Sequence, residues 1–228
     1  MPKSSQTVDE SVRIILDALT SARDNTGLST YSLFECFLHA ADKALTTAGY
    51  VIPRQEVEGP KEATPFFGIA LGELMYRAMN DYQDVLGLCY MALRTVDPRL
   101  GQFFTPWSAA RLIAEVVAGG IAERSRIGED AIYVLDSACG SGVMLLAIAD
   151  ALPRHVLKEK RIVFIGLDLD PLCVAMARLN LRLHGLLDSR SIIKTTDDLT
   201  DEERSRLERA APIRPEVKSS QVPQHHLQ

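Results

Sequence analysis

The feature that most constrains the fold of this chain is a pair of short apolar runs that each end in an aspartate. The first run, Ile132–Leu135, is closed by Asp136, and the second, Ile162–Leu167, is closed by Asp168. A Gly-x-Gly turn at 140–142 and a helical apolar pattern lie between them, and another helical pattern follows. Strand, glycine turn, helix, strand and helix in this order indicate one half of a nucleotide-binding α/β sheet.

The glycine turn and the two acids predict where a ligand binds. Gly140 and Gly142 lack a Cβ, so the chain can turn sharply and bring its amides against a ligand. The helix that starts there directs its positive end to the same place. In open α/β sheets, ligands bind beyond the carboxyl ends of the strands, where Asp136 and Asp168 are expected. Asp168 could accept hydrogen bonds from both hydroxyls of a ribose.

Two linked motifs, one before and one after a predicted helix, carry a family resemblance. Gly-Gln-Phe-Phe-Thr-Pro at 101–106 precedes Asp-Ser-Ala-Cys-Gly-Ser-Gly at 136–142. This pair resembles the adenine-N6 DNA methyltransferases, and most closely the modification subunits of type I restriction systems. Ser137 stands where that family has a proline, and the resemblance covers about residues 84 to 199.

The resemblance implies S-adenosylmethionine as the cofactor, and DNA as a partner together with a complementary subunit or domain. It implies that Thr105 and Pro106 contact the methionine part of the cofactor and that Leu169 lies along its adenine ring. Thr-Asp-Asp-Leu at 196–199 matches the family's Gly-Asp-x-Leu except at its first position, which implies that Asp197 lies near the adenine amine. The implied cofactor-binding residues are Phe104, Thr105, Pro106, Asp136, Ala138, Cys139, Gly140, Ser141, Gly142, Asp168, Leu169, Asp197 and Leu199.

The residues themselves also allow simpler interpretations of three of these segments. Thr105 could cap a helix that has Pro106 in its first turn, with the two phenylalanines before it buried. Cys139 has no histidine near it in sequence to activate it as a nucleophile, and a small residue beside a glycine turn is usually a packing residue. The acidic run at 196–199 could instead be a turn that caps the following helix.

Three regions are expected along the chain, and the predicted fold class is α/β. An N-terminal helical domain at 1–99 precedes an incomplete, Rossmann-like S-adenosylmethionine-dependent methyltransferase domain at 100–200. A polar, disordered tail is expected at 201–228, although its first part, to residue 211, could be a charged helix or a solvated run. The residues alone favour a self-supporting helical bundle for the first region. In the resembled family such a domain helps to assemble the enzyme and clamp DNA, and the residues here that could touch phosphate are Tyr31, Arg54, Lys61 and Arg77.

Capping and helix-breaking residues predict several helix ends. Thr7 and Glu10 form a capping-box pattern, while Asp170 and Pro171 mark the start of a helix that Gly185 ends. Further predictions are a connection after the first helix that ends at Gly27, a helix stop at Gly49, a loop at 53–65, a helix end before Asp97, and a surface or capping position for Asn180.

Composition excludes some classes of function. With 25 Lys and Arg against 30 Asp and Glu, the net charge of −5 argues against a broad basic DNA-binding face on this chain alone. The four cysteines contain no Cys-x-x-Cys pair, so neither a zinc site nor a disulfide framework is predicted. Neither a signal peptide nor a long apolar run is present, so the expected location is the cytoplasm, without a membrane partner.

One family motif is absent from the sequence. Adenine-N6 methyltransferases carry an Asn-Pro-Pro or Asp-Pro-Pro motif that holds the target amine and ends in an aromatic ring that stacks on the flipped base; no Pro-Pro pair occurs here. No catalytic residue is therefore predicted. The favoured hypothesis is the cofactor-binding portion of an adenine-N6 DNA methyltransferase that cannot methylate alone. The alternative is a non-catalytic relative that modulates restriction and modification through cofactor or subunit binding. A methyltransferase for another substrate fits the 101–106 motif less well.

Overall fold

The computed structural model describes residues 7–46, 59–94, 104–128, 131–159 and 162–210. Its residues up to Asp198 form one compact unit, and those from Leu199 onward form a second. Several predictions fall outside the described residues: the helix stop at Gly49, residues 53–58 of the 53–65 loop, Arg54, the helix end before Asp97, residues 101–103 of the first motif, and the tail beyond residue 210.

The first unit contains a parallel sheet with the strand order β1-β2-β3. The strands are β1 (Ile132–Asp136), β2 (Ile162–Asp168) and β3 (Ile192–Thr195). Asp136 is opposite Gly166 in the β1–β2 pairing, and Asp168 is opposite Thr195 in the β2–β3 pairing. The carboxyl ends of all three strands therefore meet at one edge of the sheet, as the two apolar runs predicted for β1 and β2.

The central strand is buried along its length, which explains its continuous apolar sequence. Every residue of β2 except Asp168 is buried, because helices and neighbouring strands cover it. β1 alternates instead and leaves Tyr133 and Leu135 exposed. The parallel α/β sheet preceded by a helical region confirms the predicted fold class.

Five α-helices precede β1 among the described residues, and three more lie between β1 and β3. They are α1 (Val8–Thr26), α2 (Thr30–Leu45), α3 (Thr64–Ala78), α4 (Val85–Arg94), α5 (Trp107–Arg126), α6 (Val143–Ala151), α7 (Arg154–Lys158) and α8 (Pro171–Leu183). Short 3-10 turns at Lys61–Ala63 and Thr196–Asp198 precede α3 and follow β3. The predicted loop therefore ends before residue 61. Its last proline, at position 65, lies instead in the first turn of α3, where the missing N–H costs no hydrogen bond.

The predicted caps of α1 and α8 are confirmed. Thr7 Oγ1 accepts a hydrogen bond from the Glu10 amide at 3.2 Å. Gly27, predicted to end the connection after this helix, instead follows α1 directly in the left-handed conformation. Asp170 Oδ1 accepts from the Leu172 amide at 2.9 Å, with a proline at the first helical position. Gly185, with φ of 66°, lies two residues beyond the end of α8.

Helices α1 to α4 share a hydrophobic core with α8, the helix that follows β2. Their buried side chains pack together with Leu172, Cys173, Met176 and Leu179. An ion pair joins the same elements: Arg182 Nε of α8 lies 2.6 Å from Asp42 Oδ1 of α2. The helical region and the sheet are thus tied together inside the first unit, and the predicted boundary near residue 99 remains a prediction.

The second unit begins with a capped, highly charged helix. Thr200 Oγ1 accepts from the Glu203 amide at 3.2 Å, and Glu203 Oε2 accepts from the Thr200 amide at 2.9 Å, which completes a capping box for α9 (Asp201–Ala210). In both units, the described helices are all too short or too polar to cross a membrane. The described side chains also form no cluster of three or more His, Cys, Asp or Glu suited to a metal ion.

Candidate cofactor-binding site

Asp168, the last residue of β2, is bonded to the glycine turn that follows β1. Its Oδ2 accepts a hydrogen bond from the Gly140 amide at 2.8 Å, and its Oδ1 accepts from the Asp170 amide at 3.0 Å. A carboxylate offers about four lone-pair positions, so two remain for a ligand. The predicted pairing of a strand-terminal acid with the glycine turn is therefore present, and the acid keeps the capacity to accept from two hydroxyls.

Asp136 lies at the end of the adjacent strand and turns toward its own backbone. Its Oδ1 accepts from the Ala138 amide at 3.1 Å. Burial raises the pKa of Asp136, the Ala138 bond lowers it, and the negative charge of Asp168 raises it further. The two acids are close enough to influence each other, as expected for neighbouring strand ends.

The glycine turn is anchored to β2 and is closely packed against α8. The Cys139 amide donates to the Leu167 carbonyl at 2.8 Å. Gly140 and Gly142 both adopt positive φ, 53° and 85°. A Cβ on Gly142 would lie 3.2 Å from the Cα of Ala177, so this position combines a left-handed conformation with a close approach of two helices.

Cys139 is a packing residue beside the turn. It is buried, and burial followed by the charges of Asp136 and Asp168 raises the pKa of its thiol to about 12. A thiol with such a pKa remains protonated near neutral pH, whereas a reactive cysteine needs a stabilised thiolate. The interpretation as a nucleophile is disfavoured on this ground.

Phe104 lies against the glycine turn. A Cβ built on Gly140 would approach the Phe104 ring to 3.0 Å, and that ring stacks on Tyr90 with 5.2 Å between centroids. Thr105 and Pro106 follow it and are exposed. The prediction that Thr105 caps α5 is wrong: the helix begins one residue later, because Pro106 stays extended with ψ of 142° and no side chain caps the end.

The turn after β3 lies next to the end of β2. Thr196 Oγ1 donates to the Asp168 carbonyl at 3.4 Å, and Thr195 Oγ1 donates to Asp198 Oδ2. Asp197 is exposed in this turn. Leu169, directly after Asp168 at the end of the buried strand β2, is 81% exposed. Leu199 is the first residue of the second unit.

Sequence reasoning missed a buried polar network behind the turn. Asp84 Oδ1 accepts from the Gly87 amide at 2.9 Å and from Asn180 Nδ2 at 2.8 Å, while Ser141 Oγ donates to Asp84 Oδ2. Asn180 Nδ2 also donates to the Ser141 carbonyl at 2.9 Å. The predicted surface position of Asn180 is wrong, since the residue is only 2% exposed. Its spacing of four residues from Met176, on the apolar face of the helix, was the available signal.

The described side chains considered for phosphate contact differ in their surroundings. Arg77 is buried and paired with Asp81, so this prediction is wrong for Arg77. Tyr31 is partly exposed and its ring packs against Tyr90 at 6.4 Å. Lys61 is exposed in the 3-10 turn before α3.

A family comparison identifies the segment that carries this geometry. The family model described as N-6 DNA Methylase matches residues 84–214, more than half of the 228-residue chain. The chain belongs to the N-6 DNA methylase family. The matched segment includes Asp84, the glycine turn, both strand-terminal acids and Asn180.

Solved structures with similarity to this member of the N-6 DNA methylase family cover most of the chain. A protein of Vibrio vulnificus YJ016, provisionally described as a modification subunit of a type I restriction enzyme, is 16% identical over 84% of this chain and 57% of its own, with a TM-score of 0.46. The type I restriction-modification system methyltransferase subunit of Streptococcus thermophilus is 19% identical over 83% of this chain and 39% of its own, with a TM-score of 0.38.

A third structure is a protein of Listeria monocytogenes provisionally described as a class I S-adenosylmethionine-dependent methyltransferase. It is 14% identical over 82% of this chain and 53% of its own, with a TM-score of 0.43. The chain thus spans between 39% and 57% of the length of these three proteins.

Proposed function

We propose that this chain binds S-adenosylmethionine at the carboxyl ends of its strands, as the cofactor portion of an adenine-N6 DNA methyltransferase. The observation that carries the proposal is the bond between the Gly140 amide and Asp168, which joins a left-handed glycine turn to a strand-terminal acid. This arrangement occurs within the segment matched by the methylase family. A nucleoside ligand needs such a turn for close backbone approach and such an acid for its ribose.

Each side of the proposed pocket has a distinct task. Asp168 accepts from the ribose hydroxyls with its two spare lone-pair positions. The exposed Leu169 covers one face of the adenine, and Asp197 accepts from its amine. The backbone of the turn and the segment from Phe104 enclose the methionine part, with contacts from Thr105, Pro106, Asp136, Ala138, Cys139, Gly140, Ser141 and Gly142.

The cofactor, when bound, supplies the methyl group for transfer to an adenine amine. This chain contributes binding and orientation, which account for much of the rate of a direct displacement. The wall that holds the flipped base comes from a complementary subunit or domain, because the sequence contains no Asn-Pro-Pro or Asp-Pro-Pro motif. DNA is therefore a partner of the assembly, and the isolated chain is expected not to methylate it.

Exposed apolar side chains on two elements support the requirement for a further subunit or domain. No described strand pairs with the outer edge of β1, and Tyr133 and Leu135 of this strand are exposed. On α5, Leu112, Ile113 and Val116 are each at least half exposed. These exposed side chains also fit the alternative function, in which the chain acts through subunit binding and modulates restriction and modification without catalysis.

Two measurements test the proposal. Isothermal titration calorimetry should show that the purified chain binds S-adenosylmethionine, and a well-folded chain without any binding would refute the proposed function. Tritiated methyl incorporation into DNA should be absent for the chain alone. It should appear after addition of a polypeptide that carries the missing motif. Failure of that addition, with cofactor binding intact, would favour the non-catalytic alternative.

A further inference from the structure

The segment between the two glycines of the turn is held from behind by side chains that the proposed ligand would not touch. Ser141 lies between Gly140 and Gly142 and is fully buried. Its hydroxyl donates to Asp84, and its carbonyl accepts from Asn180 at 2.9 Å. The hydroxyl and the carbonyl of Ser141 are therefore fixed by buried partners from the start of α4 and from α8.

Asp84 is the centre of this network. Its two carboxylate oxygens accept from Ser141 Oγ, from Asn180 Nδ2 at 2.8 Å and from the Gly87 amide at 2.9 Å. The donors come from three separate elements, namely the turn, α8 and the first turn of α4. Removing Asp84 would leave all of them without this acceptor inside the protein.

The packing around Asp84 leaves no room for a side chain at position 87. A Cβ built on Gly87 would overlap the Asp84 carboxylate and would lie 2.7 Å from Ser141 Oγ. The close approach of α4 to the glycine turn thus depends on a residue without a side chain at position 87. This fit makes the network a built feature of the site and not an incidental contact.

We infer that Asp84 is a positioning residue for the cofactor turn. Glycines in the left-handed region have many alternative conformations, so the turn needs an external restraint to present its amides in one arrangement. Asp84 supplies that restraint through Ser141, one residue from the Gly140 amide that bonds Asp168. This role rests on the proposed binding of S-adenosylmethionine at the turn.

The experiment compares Asp84→Ala with Asp84→Asn and a matched buried acid. Asparagine preserves the network, because its oxygen accepts from Gly87 and Asn180 and its amide can donate to the Ser141 hydroxyl. Asp42→Ala is the control, since Asp42 is also buried and bonded to α8, through Arg182, but does not touch the turn. Calorimetry with S-adenosylhomocysteine measures affinity at a temperature at which circular dichroism shows each variant folded.

The Kd of Asp84→Ala should rise about tenfold, while Asp84→Asn and Asp42→Ala stay within about threefold of the wild type. Wild-type affinity in a folded Asp84→Ala, or an equal loss in Asp42→Ala, would overturn the positioning role while leaving the proposed function intact. A wild-type chain that binds nothing would refute the proposed function itself, and this role with it.

If Asp84→Ala does not fold, Ser141→Ala and Gly87→Ala test the same network through two residues that contact Asp84. Ser141→Ala removes one bond to Asp84, and Gly87→Ala displaces the carboxylate. Each should weaken binding by roughly threefold or more. Unchanged affinity in both would overturn the inference.

Discussion

The Gly140 amide donates a 2.8 Å hydrogen bond to Asp168 Oδ2, which links the turn after β1 directly to the end of β2. Asp168 thereby accepts hydrogen bonds from the backbone with some of its lone pairs and keeps the others available for a ligand. A change at Asp168 should consequently affect both the conformation of the turn and the affinity for an adenosyl group.

Asp168→Ala should weaken S-adenosylmethionine binding by roughly 1–3 kcal/mol, the range for losing hydrogen bonds to a charged acceptor. Titration calorimetry on folded protein measures the loss. Asp188→Ala is a suitable control, because Asp188 is a carboxylate paired locally with Arg190 in the loop before β3. An equal loss in both variants would indicate a general effect of charge and contradict the assignment of Asp168.

Gly142→Ala should destabilise the protein by about 2–4 kcal/mol. The substitution combines the strain of a left-handed alanine with a contact 3.2 Å from the Ala177 backbone. Gly185→Ala shares the positive φ but places its Cβ in open space, so it should cost about 1 kcal/mol. Urea unfolding of both variants separates crowding from backbone strain, and equal losses would argue against close packing at Gly142.

Arg182→Met should cost about 2–4 kcal/mol of folding free energy, because it leaves the buried Asp42 carboxylate without its 2.6 Å partner. The Arg182 side chain is 21% exposed, which places the loss below that of a fully buried pair. The double variant Asp42→Leu with Arg182→Met should recover much of this stability, as measured by denaturant unfolding. A double variant as unstable as the single one would mean that the pair matters for packing rather than charge.

The stability of the protein should depend on pH through Asp84. Burial raises the pKa of this carboxyl, although bonds from Ser141, Gly87 and Asn180 and the charge of His184 lower it in part. Between the ordinary value and the raised one, the folded protein holds the proton and the unfolded chain has lost it. The contribution of Asp84 to stability therefore falls as the pH rises through that window.

Asp84→Asn removes this titration and keeps most of the network. Its stability relative to the wild type should rise across the same pH window, when urea unfolding is measured at a series of pH values. A difference that stays constant with pH would show that burial does not raise the pKa of Asp84.

Local features of the sequence were sufficient to predict β1, β2, the glycine turn and the N-terminal caps of α1 and α8. Apolar runs, glycines and capping side chains act on residues a few positions away, so their effect can be inferred without tertiary structure. The same holds for Asp168, whose place at the end of a buried strand indicated the edge where it meets the turn.

The Asp84 network could not be inferred in the same way. Ser141 lies 57 residues and Asn180 lies 96 residues from Asp84, and 140 residues separate Arg182 from Asp42. Such contacts depend on how α2, α4 and α8 pack, which no local pattern specifies. Asn180 was misassigned for this reason: a polar residue on an apolar helix face is buried only when a distant partner satisfies it.

The four apolar side chains that α8 contributes to the core of α1 to α4 also determine how the protein unfolds. If the first hundred residues were deleted, the sheet would keep its hydrogen bonds but its flanking helix would present a bare hydrocarbon surface to water. Helical region and sheet should therefore melt together, in one calorimetric transition whose enthalpy reflects the whole region up to Asp198.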